Sequence, residues 1–171
     1  GRRRLLLHGY ASANSETVRD RVVEPLELVG GNAFLAAYEV ADGTNKYFRI
    51  DRIAEVTVLE EPMTEVEHHR VHSPDVFGFA LDFATADKRV QVDMSAQAAL
   101  FLKAEAPLTG PHLVRDEGTG RVKLNVLVAD YRPAVRFVLP FLNTDAVRVL
   151  GDARFAEAVE AAQRQVGGEG N

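Results

Sequence analysis

The first sixty residues are cut into short runs by turn-forming residues, and this punctuation constrains the fold more than any other feature. Gly30-Gly31-Asn32 and Asp42-Gly43-Thr44-Asn45 are hairpin-type connections. Between them Phe34, Ala36, Tyr38 and Val40 recur with a period of two, the spacing of one strand face. Runs at 4–9, 18–29, 33–40, 46–50 and 53–59 read as strands, and no long amphipathic helix separates them. In run 18–29, Val18, Val22, Leu26 and Leu28 share one parity, and Arg19, Arg21 and Val23 the other. Pro25 cannot donate a ladder hydrogen bond, so it marks an edge or a bulge where the strand bends. Short strands without helices predict a small closed or nearly closed β-barrel, and closure would remove sticky edges.

Lys46 to Ile53 sets three cations among apolar residues. On strand parity Tyr47 and Arg49 share one face, and Lys46, Phe48 and Ile50 the other. Arg49 and Arg52 are three apart, so a regular strand would send them to opposite faces. A bend at Ile50-Asp51 would bring both to one rim. Two guanidiniums beside Tyr10, Arg21 and Phe34 would make a site for a phosphate and a stacked base. The alternative is that Asp51 pairs with Arg52 or Arg21 and that Arg49 is solvated. The residues alone leave both open.

The motif order resembles the WYL-domain family, whose members are mostly bacterial transcription regulators. The likeness runs through Tyr10, Arg21-Val22-Val23-Glu24-Pro25-Leu26, Ala33-Phe34-Leu35-Ala36-Ala37-Tyr38 and Phe48-Arg49-Ile50-Asp51-Arg52-Ile53. The family's Trp-Tyr-Leu falls on Ala33-Phe34-Leu35, of which only Leu35 is kept. The chain most resembles the proteasome accessory factor B and C branch. That resemblance implies an Sm-like or SH3-like barrel, a ferredoxin-like extension and an N-terminal helix-turn-helix. The last has no counterpart here, and the opening Gly1-Arg2-Arg3-Arg4 without Met reads as the start of a fragment. The resemblance implies a sensor of single-stranded nucleic acid or a nucleotide, through Tyr10, Arg21, Phe34, Arg49 and Arg52. It also implies a homodimer, or a heterodimer with a related regulator, reaching duplex DNA only through the N-terminal part.

The remainder supports a second domain. The expected layout is a barrel at 1–62, a linker at 63–84 and an α/β domain at 85–171, an α+β chain overall. Phe77, Phe79, Leu81 and Phe83 alternate and read as a buried strand face or an interdomain clamp. A strand at 89–94 precedes Ser95, a good N-cap for a helix at 96–104. A hairpin surrounds Glu117-Gly118-Thr119-Gly120; Asp130 caps a helix at 131–141, with Pro133 suited to its first turn. A strand at 147–150 and a helix capped by Asp152 complete the series. The order β-α-β-β-α-β is that of a ferredoxin-like domain.

Several classes are excluded. The chain has no cysteine, hence no disulfide, thiolate metal site or cysteine nucleophile, which is compatible with the cytosol. No apolar run is long enough for a membrane-spanning helix. No nucleophile elbow, Gly-rich phosphate loop or His-Glu zinc motif is present, so no enzyme and no cofactor is expected. His68 or His69 with His72 is the one histidine cluster, but it lacks cysteine partners and a second shell, and no metal is assigned. The net charge of −5 argues against wrapping duplex DNA. Any anion site is local, and the better-balanced first sixty residues, with 8 basic against 9 acidic side chains, are its expected place.

Overall fold

The computed structural model describes residues 2–12, 17–70 and 73–168. The chain divides into two compact units, one of residues 1–74 with 78–80, the other of 75–77 with 81–171. Both are mixtures of antiparallel sheet and helical turns. No helix among the described residues is long and apolar enough to cross a membrane.

In the first unit the strands are β1 (Arg3–Ser12), β2 (Thr17–Val29), β3 (Phe34–Glu39), β4 (Thr44–Arg49) and β5 (Glu55–Pro62). They form one antiparallel sheet in the order β4-β3-β2-β1-β5. The β2–β3 turn holds Gly30, Gly31 and Asn32 at φ of 61°, 65° and 67°, a left-handed run that glycine and asparagine tolerate best. The expected irregularity at Pro25 is there: the β2–β3 register shifts between Pro25 and Glu27. A second shift, between Leu7 and Tyr10, lets β1 continue past Gly9, which sits at φ 56°.

The barrel does not close. Among the described residues β4 and β5 do not pair, so the sheet has two ends. After β4 the chain makes a 3-10 turn, Ile50–Arg52, and the Ala54 N–H then donates to the His8 carbonyl at 3.0 Å. That bond commits the next strand to β1. β5 is left an exposed edge, with Val56 and Val58 about half in solvent.

The inner face of the sheet gathers Leu7, Tyr10, Val23, Leu35, Ala37 and Phe48. All six residues of β3 are buried, so both of its faces are covered. The segment at 63–70, expected as linker, forms part of the outer cover. Asn45 donates from Nδ2 to the His68 carbonyl at 2.9 Å and accepts from the Arg70 N–H at 3.0 Å. Gly78 supplies another part: a Cβ there would lie 2.4 Å from Cε1 of Phe34.

The second unit follows the expected element order. β6 (Lys88–Met94), β7 (Val114–Arg115), β8 (Val122–Val128) and β9 (Val147–Leu150) form an antiparallel sheet in the order β7-β8-β6-β9. α1 (Ala96–Glu105) starts where Ser95 Oγ accepts from the Ala98 N–H at 3.1 Å. α2 (Arg132–Val138) and α3 (Ala153–Gly168) start beside Asp130 and Asp152, whose carboxylates accept from the N–H of Arg132 and Arg154. Val90, Val92, Met94, Leu124 and Val126 meet Leu102, Val138 and Phe155 in one core.

The alternating run at 77–83 is not a strand. Gly78 turns the chain at φ 85°, Pro74 and Ala80 form an isolated bridge, and Phe83 is exposed while Leu81 is buried. A period of two over four residues is therefore no guide here.

Phe48 has the largest fully buried side chain of the first unit. Phe48→Ala is expected to lower stability by about 3–5 kcal/mol in urea unfolding.

Candidate ligand site

Register sorts the candidate residues by face. Leu35↔Phe48 and Ala37↔Lys46 put Phe48, Lys46, Ala37 and Glu39 on the inner face. Phe34↔Arg49 and Tyr38↔Asn45 lie on the outer one. The five predicted site residues therefore do not form one open surface. Tyr10 and Arg21 meet inside; Phe34 and Arg49 are neighbours outside; Arg52 sits in the turn that follows.

Arg21 is buried, and its partner lies on the neighbouring strand, where the spacing of residues does not point to it. Its Nη1 donates to both Glu39 oxygens, at 3.0 and 2.9 Å. Lys46 Nζ donates to Glu39 Oε2 at 2.9 Å, and Arg19 Nη2 lies 3.7 Å from Oε1. One fully buried carboxylate is thus shared by three cations. Lys46 also bonds Asp42, and that hydrogen bond and charge lower the Asp42 pKa below its ordinary 3.8. The Arg21 guanidinium carbon lies 5.8 Å from the centre of the Tyr10 ring, within cation–π range. Arg21 Nε is buried without an acceptor.

Tyr10 carries this inner cluster to the arginine turn. Its ring meets Phe48 edge-on at 5.0 Å, and its hydroxyl accepts the backbone N–H of Arg49 at 3.2 Å. The bend needed at Ile50-Asp51 is present as the 3-10 turn Ile50–Arg52. Within it Asp51 pairs with Arg49, Nε to Oδ1 at 2.8 Å, rather than with Arg52 or Arg21. Asp51 is largely solvent-exposed, so this pair is weak. Phe34 is buried against Gly78 and offers no ring face to a base.

Glu24 holds the second buried acid, missed because it stands beside Pro25 in a strand of mixed pattern. It is fully buried and accepts from Arg4 Nε at 3.1 Å and from the N–H of Thr64 at 2.7 Å. The N–H of Glu65 at 3.0 Å and His69 Nε2 at 2.7 Å complete its partners. Burial pushes its pKa up, but the bonds from Thr64, His69, Arg4 and Glu65 outweigh burial and leave it below the ordinary 4.5. His69 is thereby committed to Glu24, and His68 stacks on Tyr38 with ring centres 6.1 Å apart. His72, the third histidine of the cluster, lies outside the described residues. Among the described residues no group of metal-ligating side chains converges.

Residues 1–58 match the family model of the WYL domain. This unit is a WYL domain. The chain is 32% identical over 95 residues to Protein PafC of Mycobacterium tuberculosis, in strains CDC 1551 / Oshkosh and ATCC 25618 / H37Rv alike. The match covers 54% of this chain and 30% of that protein, so the matched stretch spans under a third of its relative's length. The resemblance to the accessory factor B and C branch is borne out by it. A solved structure, proteasome accessory factor B/C (PafBC) of Arthrobacter aurescens, aligns over 94% of this chain and 24% of that one. Its TM-score is 0.39 at 20% identity, too low to add to the sequence match.

The Glu24 anchor of the WYL domain has a testable pH dependence. A carboxylate with a lowered folded-state pKa adds stability above its unfolded value, and this is lost as pH falls through the folded value. Amide exchange at Thr64 and Glu65 should quicken as pH drops below about 4.5, after correction for intrinsic rates. Glu24→Gln should bring the faster exchange to neutral pH and cost about 3 kcal/mol.

Proposed function

We propose that this chain is the effector-sensing part of a transcription regulator. Its effector is single-stranded nucleic acid or a nucleotide-like molecule, and its signal passes to a DNA-binding part outside this chain. The observation that carries the reading is the turn after β4. Tyr10 fixes the backbone where Arg49 enters a tight 3-10 turn, and Arg52 leaves it with no ion pair among the described residues. Arg49 pairs with Asp51, whose carboxylate is largely in solvent, so a phosphate can compete for that place.

The five candidate residues then take different roles. Arg49 and Arg52 bind the anion. Tyr10 and Arg21, buried and paired, set the turn from beneath, and Phe34 braces the β3–β4 pair. The reading assigns no catalysis, no metal and no cofactor. In fold terms, we read the bent five-stranded sheet as an open Sm-like arrangement and the second unit as ferredoxin-like. The strand order β7-β8-β6-β9 with helices in both crossovers supports the latter.

The partner in this reading is a second copy of this chain or a related regulator. A second reading, an interaction module without a ligand, has support in α1, where Leu100 and Phe101 are exposed. Sedimentation with and without oligonucleotide separates the two. A constant dimer that binds no oligonucleotide favours the second.

Fluorescence anisotropy with a labelled fifteen-base single strand tests the sensor. Arg49→Ala and Arg52→Ala should each weaken binding by about tenfold and flatten its salt dependence by about 0.7 per lost phosphate contact. Arg21→Ala should instead lower stability by about 3–5 kcal/mol, because it leaves Glu39 buried without its main partner. Undiminished binding by both turn variants removes the proposal.

A further inference from the structure

Among the described residues of the second unit, α1, α2 and α3 pack on the face of the sheet that carries Val90, Val92, Leu124 and Val126. The other face is open within that unit, and the ladder register defines what stands on it. Lys123↔Asp93 and Asp93↔Arg148 form one row across β8, β6 and β9. Asn125, Gln91 and Leu150 form the next row, and Arg89 stands beyond it opposite Leu127. Arg121 reaches in from the hairpin, donating from Nε to Asp93 Oδ1 at 2.6 Å, and neutralises the one acid of these rows.

The distribution runs against the charge of the molecule. The chain carries −5 overall, and this unit's Glu105, Glu117, Glu157 and Glu160 lie exposed on helices and a turn. The open sheet face instead carries Arg89, Lys123 and Arg148, with Lys123 and Arg148 exposed. Among the described residues Arg148 has only Asp145 as an ion partner, at 3.3 Å and almost wholly in solvent. Such a pair yields readily to a phosphate.

Two amides stand among the cations. Arg89 Nη1 donates to Asn125 Oδ1 at 2.6 Å, which leaves the Asn125 Nδ2 as the free donor. Gln91 lies over Gly151, where a Cβ would stand 1.6 Å from its Oε1, and Gly151 also has φ 70°. That backbone conformation itself favours glycine. Phosphate-binding cations thus flank two amides able to meet base edges. No aromatic residue stands in these rows, so stacking adds nothing to this surface.

We propose that this face is a second nucleic-acid surface, one that holds the sugar–phosphate backbone of an extended single strand without regard to sequence. It stands on the second unit alone and does not require the arginine turn of the WYL domain. A flat sheet face suits an unpaired strand, as four-stranded sheets in single-strand RNA readers illustrate, although those add aromatic rings.

Anisotropy titrations of this chain with labelled dT15 and U15 test it, over a series of salt concentrations and with circular dichroism as the folding control. The Lys123→Glu/Arg148→Glu variant should bind either strand about tenfold more weakly at low salt, with a salt slope smaller by about 1.4, the sum of two single-strand phosphate contacts. Lys123→Gln/Arg148→Gln should fall between it and wild type. Unchanged affinity in both variants overturns the proposal, and loss confined to Arg49→Ala and Arg52→Ala leaves the WYL-domain site standing alone. Loss confined to the sheet variants supports this surface and removes the other. Tighter binding of a duplex through the same residues, or equal binding of polyglutamate, overturns the single-strand assignment.

Discussion

The buried ion pair between Arg21 and Glu39 is the interaction on which the WYL domain depends. Neither group tolerates burial alone; the cost of leaving one unpaired is several kcal/mol. Paired, they join three strands at one end of the sheet: Arg21 on β2, Glu39 on β3 and Lys46 on β4. The guanidinium then stands against Tyr10 on β1. Tyr10 in turn receives the N–H of Arg49. A chain of short-range contacts therefore runs from a buried acid to the residue that opens the arginine turn. Change at any link should be felt at that turn.

A second buried acid divides the labour. Glu24 uses the opposite face of β2 to hold segment 63–70 against the sheet. The two acids differ in their donors. Among the described residues Glu39 is met only by cations, whereas Glu24 is met by backbone N–H groups, a guanidinium and an imidazole. The first arrangement fixes strands; the second fixes a connection leading out of the unit. β3, between them, is covered on both faces.

Much of this was legible in the sequence. The glycine turns, the break at Pro25, Ser95 as a cap and the order of elements after residue 85 all rest on local chemistry, and all are found. The parity of Lys46 to Arg49 was also readable, because a strand's two-residue period needs no tertiary information. What failed was long-range. Closure of the barrel depends on where the strand after Arg52 pairs, and a single bond from Ala54 to His8 decides that. The run at 77–83 looked periodic, but Gly78 at positive φ breaks it. Glu39 and Glu24 were invisible as site residues because a charged side chain in a short strand reads as solvent-facing until its partners are known. The one available hint was parity: Glu39 shares its face with Leu35 and Ala37.

Tyr10→Phe tests the relay most directly, since it removes one hydroxyl and keeps the ring, its contact with Phe48 and its place beneath Arg21. With the acceptor for the Arg49 N–H gone, the turn loses a bond worth about 1 kcal/mol, and affinity for a single-stranded oligonucleotide should fall about fivefold, with a stability change no larger than that. Binding as tight as wild type by a folded Tyr10→Phe protein would contradict the account.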